Sequence, residues 1–131
     1  MKRPILMLWL LPIMIMSYPG TTYAQDTGVY TVVDEQPEPV GGLKAFYDYI
    51  EKNLRYPEEA KQKNISGRVV VKFIVDENGK LINPQIVRGL CEPCDAEALR
   101  LIKEAPPWKP GKKDGKVVKV EVTRPINFSP N

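Results

Sequence analysis

The chain contains no histidine, which removes His-based nucleophile triads, the commonest general base and the commonest zinc ligand together. Cysteine is almost as scarce. Cys91 and Cys94 are the only two, so a metal site built on them would lack two further ligands. No long hydrophobic run is present either: the most apolar stretch, residues 5–16, is interrupted by Pro12 and falls well short of the ~20 residues a membrane-spanning helix needs. Charge of one sign is also missing, with 19 Lys and Arg against 16 Asp and Glu. No basic cluster is interleaved with aromatics, which excludes a nucleic-acid surface. Lys109, Lys112, Lys113 and Lys116 lie close together, but Gly111, Asp114 and Gly115 among them mark a solvated turn. The paired carboxylates, Glu58-Glu59 and Asp76-Glu77, fall in a helix first turn and a hairpin tip, where acidic residues need no chemistry to explain them. The expectation is therefore a protein with no catalytic residues, no cofactor, no metal and no small-molecule substrate.

What is there begins with Lys2 and Arg3, the apolar run, and small or polar residues ending in Thr22-Tyr23-Ala24. That layout predicts a secretory signal peptide over residues 1–24, cleaved after Ala24. Cleavage removes two basic residues and no acidic ones, leaving a side-chain net charge of +1. The remaining chain has room for one domain with one modest core. Residues 25–41, with Pro37 and Pro39, read as an irregular lead-in holding one short extended candidate at 30–33. The domain is expected over 42–131.

Within it, Val69, Val71, Phe73 and Val75 share one face at the period of two that strands impose, and Asp76-Glu77-Asn78-Gly79-Lys80 supplies a turn. Residues 81–88 complete a hairpin. Leu43, Phe46, Tyr47, Ile50 and Leu54 recur at helical spacing, predicting a first helix over 43–53. Pro57-Glu58-Glu59 opens a short second helix ending near Asn64, and residues 95–104 carry a third that stops at Pro106-Pro107. Residues 116–128 alternate cleanly, with Val118, Val120, Val122, Ile126 and Phe128 on one face. The fold class is α+β: a three-stranded antiparallel sheet in the order 2-1-3, with helices on one face. Pro84 fits an edge position for the second strand. The third strand, the other edge, is expected to carry unpaired backbone groups along one side.

Several of these residues occur in a familiar order. Tyr56-Pro57 with Ala60, Gly67 before the alternating Val69, Val71, Phe73 and Val75, Gly79, Asp95 with Ala98, Trp108-x-Pro110-Gly111 and Pro125-x-x-Phe128 resemble the C-terminal domain of TonB. Pro39-x-Gly41-Gly42 and the helix after it resemble the Bacteroidetes-type version. The resemblance covers residues 37–128 and implies a periplasmic domain that grips an outer-membrane TonB-dependent receptor. In that family a short receptor segment adds as a strand beside the domain's C-terminal strand. The implied docking residues are Val117, Val118, Lys119, Val120, Glu121, Val122, Thr123 and Arg124. The other occupants weighed for this edge are the chain's own N-terminal segment and a second copy in a homodimer. A cleaved leader would leave no inner-membrane anchor, so a binding module is expected rather than a full energy transducer.

Cys91 and Cys94 predict a local disulfide bracing the turn into the third helix of an exported protein. The alternative is a Cys-x-x-Cys thiol-disulfide oxidoreductase. Glu92, Asp95 and Glu97 oppose it, because surrounding negative charge raises a thiol pKa while a reactive thiolate needs positive surroundings.

Overall fold

The computed structural model describes residues 28–129, so the predicted signal peptide lies outside the described residues. Among the described residues, seven strands and three helices follow in chain order: β1 (Val29–Tyr30), β2 (Glu38–Pro39), α1 (Gly42–Asn53), α2 (Glu58–Gln62), β3 (Gly67–Val75), β4 (Leu81–Arg88), α3 (Glu92–Lys103), β5 (Trp108–Lys109), β6 (Gly111–Lys113) and β7 (Lys116–Phe128). Val69, Val71, Phe73 and Val75 of β3 are fully buried. That is the consequence of period-two alternation in a sheet with one covered face. Phe46 and Ile50 of α1 and Cys94, Ala98, Leu101 and Ile102 of α3 pack into the same core.

The three long strands stand in the expected order, with β3 between β4 and β7 and both pairings antiparallel. The β3–β7 ladder runs from Gly67 opposite Phe128 to Val75 opposite Val120. The sheet itself is larger than three strands and mixed: β6 pairs with residues 116–118 of β7, and β1 pairs with β7 in parallel. A separate two-stranded piece joins β2 to β5. These additions are two or three residues long, too short for any periodicity to announce them.

The β3–β4 turn is held by Asp76, whose Oδ1 accepts from the backbone N–H groups of Asn78 and Lys80 at 2.9 and 2.8 Å. Gly79 takes the positive φ of 82° at its end. β4 is irregular near Asn83, which adopts φ 49°, and the register with β3 shifts there. Pro84 follows on that same outer strand, where a missing N–H costs little.

All three helices begin elsewhere than predicted, α1 at Gly42, one residue before the expected 43. Pro57 is the N-cap of α2 rather than its first helical residue. α3 starts at Glu92, three residues before the expected 95, because Cys91 caps it: the Cys94 N–H donates to Cys91 Sγ at 3.1 Å, and Pro93 sits in the first turn. Further along α3, the Glu97 carboxylate accepts from Arg100 Nε and Nη2 at 2.8 and 2.7 Å and from the Arg55 N–H at 2.7 Å. Burial alone would raise the Glu97 pKa, but these hydrogen bonds and the two arginine charges outweigh it and hold it below the usual value. Arg100 Nη2 also donates to the Asn53 carbonyl, tying α3 to the end of α1.

Cys91 and Cys94 form a disulfide, with Cys94 fully buried. Closing a loop this short is worth ~2 kcal/mol in the chain-entropy account. We expect Cys91→Ala with Cys94→Ala to lower unfolding stability by about 2 kcal/mol in urea titration while leaving a cooperative transition. Complete loss of folding would mean that the bond carries more than its loop entropy.

Candidate functional site at the outer side of β7

β7 runs over 13 residues with apolar Val118, Val120, Val122, Ile126 and Phe128 at alternate positions, broken at Arg124, and β3 reaches only its C-terminal part. Val120 pairs with Val75 of β3 and with Tyr30 of β1 at once, so those two strands flank β7 on opposite sides. The side away from β3 is the outer edge. Pro125 identifies which backbone groups face it. This residue has no N–H yet sits opposite Val70 in the middle of the ladder, a place tolerated when the absent donor points away from the neighbouring strand. Its carbonyl accepts from Tyr47 Oη of α1 at 3.3 Å. Backbone groups alternate along a strand, so Thr123 and Glu121 face outward with Pro125. Consistently, the Thr123 carbonyl accepts from Arg124 Nη1 at 3.1 Å.

The eight residues implied by the sequence do not form a uniformly open edge. Val117 and Val118 pair with β6, which takes the stretch of β7 that β3 does not reach. Lys119 and Val120 pair in parallel with Val29 and Tyr30. The expectation of unpaired groups along the whole edge is corrected at these two positions, where the chain's own N-terminal segment lies. Beyond Val120 no strand among the described residues continues the register on the outer side. A parallel pair of Tyr30 with Val120 uses the outward groups on either side of Val120, so the Glu121 N–H lies against Tyr30 and the edge that stands open is centred on Thr123.

Next to this open stretch lies a cleft of about 720 Å³ between α1, the α1–α2 link and the end of β7, lined by Tyr47, Ile50, Leu54, Tyr56, Lys61 and Asn127 among others. Tyr47 borders both features, since its hydroxyl bonds to β7 while its ring lines the cleft. Burial pushes the Tyr47 phenol up, and the Arg124 charge partly opposes it. Arg124 Nε is buried without a hydrogen-bond partner among the described residues, a donor whose desolvation is uncompensated within the domain. From spacing alone Tyr47 reads only as part of an apolar helix face. Helical spacing says which residues share a face but not which strand the face will meet.

The disulfide lies at the other end of the sheet connections, at the start of α3. Its first-turn neighbours Glu92 and Asp95 place negative charge where a catalytic thiolate would need the opposite. Asp95 is engaged structurally, accepting from the Leu90 N–H at 2.9 Å.

Comparison with known proteins gives a consistent picture. The family described as Gram-negative bacterial TonB protein C-terminal matches residues 52–130. The solution structure of the Helicobacter pylori TonB C-terminal domain, residues 194–285, is 26% identical with a TM-score of 0.53, over 66% of this chain and 91% of that one. A longer form of the same domain, residues 179–285, is 27% identical with a TM-score of 0.54, over 68% of this chain and 80% of that one. No curated protein matches. With the family match spanning more than half of the sequence and the fold shared with both solved domains, this chain belongs to the TonB C-terminal domain family.

Proposed function

We propose that the chain is a periplasmic protein-binding module that takes an extended segment of an outer-membrane TonB-dependent receptor as an added strand along the outer side of β7, within residues 117–124. Its family takes part in TonB-dependent transport in the cell envelope and in receptor interaction. On this reading residues 1–24 are a cleaved leader and 42–131 the binding domain. The single observation that carries it is the outward backbone at Thr123, which no strand among the described residues faces. Such an edge offers main-chain hydrogen bonds to any extended peptide, while side-chain pockets beside it choose among peptides. The cleft at Tyr47, Ile50 and Tyr56 borders the end of β7, and Arg124 Nε has no hydrogen-bond partner among the described residues; both support this reading. A receptor carbonyl or carboxylate there would complete the guanidinium's bonds.

Isothermal titration of the exported protein with peptides from the plug-domain N-termini of TonB-dependent receptors tests this. Saturable one-to-one binding is the expected result. An absence of binding across a panel of such peptides, under conditions where the protein is folded, contradicts it, and self-association that blocks the same edge would point to a homodimer instead.

A further inference from the structure

At the open part of β7 an added strand would meet the Thr123 N–H, the Thr123 carbonyl and the Pro125 carbonyl, since Pro125 has no N–H to offer. Side chains already occupy both carbonyls. Tyr47 Oη of α1 donates to the Pro125 carbonyl at 3.3 Å, and Arg124 Nη1 donates to the Thr123 carbonyl at 3.1 Å. The two caps are held differently. The Tyr47 ring is half-buried and stands edge-on to Phe46, with ring centroids 5.1 Å apart. The Arg124 cap is an exposed bond to the carbonyl of the preceding residue, and turning one side chain releases it. A strand that adds at Thr123 needs that carbonyl for one of its own N–H groups, so the guanidinium must leave.

Arg124 is poorly matched where it stands. Its Nε is buried with no hydrogen-bond partner among the described residues, and none of the ion pairs among those residues includes it. Glu121, three residues away on the same strand, points to the opposite face of the sheet. The neighbouring cleft holds one cation, Lys61, and one carboxylate, Glu51, which leaves the sign of the charge beside Thr123 to Arg124. That charge is felt at Tyr47, where burial raises the phenol pKa and Arg124 pulls it down. A desolvated donor without an acceptor is costly, and so is a cation without a counter-charge. Once off the Thr123 carbonyl, the guanidinium can present Nε and one Nη side by side, the geometry that takes both oxygens of a carboxylate.

We propose that Arg124 selects the docking segment: in the unbound protein its guanidinium caps the Thr123 carbonyl, and on strand addition it gives up that carbonyl and pairs with an Asp or Glu side chain of the incoming strand. The proposal rests on the strand-addition reading above and names the chemistry of the partner. For a neutral segment the exchange at the Thr123 carbonyl is even, one donor replacing another, and the freed guanidinium turns to water. An acidic segment restores the lost bond and supplies the absent counter-charge, which favours it by about tenfold.

The test uses synthetic seven-residue peptides copied from a plug-domain N-terminus. The parent has every acidic residue replaced by its amide, and the set carries a single Asp at each position in turn. Against the unmodified protein, Asp at one position is expected to tighten binding about tenfold over the parent, with the other positions within about twofold. Arg124→Gln is expected to abolish that advantage while binding the parent within about threefold of the unmodified protein. Arg124→Glu is expected to recover tight binding to the peptide with Lys in place of that Asp. A readout on the unmodified protein needs no variant: the labelled Arg124 Nε–H resonance is expected to shift and exchange more slowly with the preferred Asp peptide and not with the parent. Equal affinity for the parent and every Asp peptide overturns the proposal and leaves the strand-addition reading standing. An Asp advantage that persists in Arg124→Gln also overturns it, since another cation then supplies the preference, as does an Nε–H resonance that the Asp peptide leaves unmoved. If no member of the set binds, the strand-addition reading fails and takes this proposal with it.

Discussion

Replacing Gly79 by alanine is expected to lower the unfolding stability by about 3 kcal/mol, a large loss for a single methyl group. Gly79 ends the β3–β4 turn with φ 82°, and a Cβ built there would stand 1.9 Å from the Trp108 carbonyl oxygen. No rotamer relieves such a clash, because both atoms belong to or are fixed by backbone. The Gly79 carbonyl also accepts from the Trp108 N–H at 2.7 Å. Pushing the turn away therefore breaks that bond and lifts Trp108 from its place between Phe46 and Phe73, whose ring centroids lie 5.3 and 5.4 Å from it. Trp108 is 3% exposed, so the disturbance reaches the core directly. For a domain of this size the loss corresponds to a fall in Tm of about 15 °C. Gly115 is the control: its φ is 78°, but nothing lies within 4 Å of an added Cβ. Gly115→Ala is expected to cost only the backbone strain, about 1 kcal/mol. Equal losses for the two substitutions in thermal and urea unfolding would show that conformation alone, and not the contact with Trp108, makes Gly79 necessary.

The second large effect is on binding. Thr123→Pro is expected to weaken affinity for a receptor-derived peptide by about 10- to 100-fold, the loss of one main-chain bond together with a stranded partner carbonyl. The substitution is selective because of where the Thr123 N–H points. It faces outward with the position of Pro125, a proline that the β3–β7 ladder already accommodates, so a second proline two residues earlier spares the bonds to β3. A stability cost of about 1–2 kcal/mol is expected from fixing φ near the polyproline value. Thr123→Ala keeps the N–H and removes only an exposed side chain, and binding is expected to stay within about twofold. If alanine weakened binding as much as proline does, recognition would run through the threonine side chain and not through an added strand.

The parts of this fold that were legible in the sequence are those in which one element carries its own signal. β3 and β7 alternate over many residues, and Val69, Val71, Phe73 and Val75 could only face a core. The order of the three long strands followed from Pro84 and from the crossover through α3. The short pairings were only partly legible: residues 30–33 read as an extended candidate, but β1 is Val29 and Tyr30, and its parallel register with Lys119 and Val120 comes from across the sheet. The start of α3 was missed for a related reason. Its cap is a cysteine, and neither the capping bond from Cys94 nor the role of Pro93 is separable from the disulfide reading in sequence alone. At the candidate site, the edge strand and its eight residues were found through alternation and family resemblance, whereas the Tyr47 cleft depends on which helix face meets the end of β7. That is tertiary information, as is the partial covering of the edge by the lead-in.

The central claim is that partners dock on the outer backbone of β7, and the most direct measurement is a residue-resolved one. Uniformly labelled protein is titrated with a receptor-derived peptide while amide shifts and hydrogen exchange are followed along β7. The account predicts that the Thr123 amide shifts and becomes protected on saturation. Val122 and Arg124, whose N–H groups face β3, should keep the protection they already have. Binding that leaves the Thr123 amide unprotected, with shifts gathered on β4 or on α3, would contradict it.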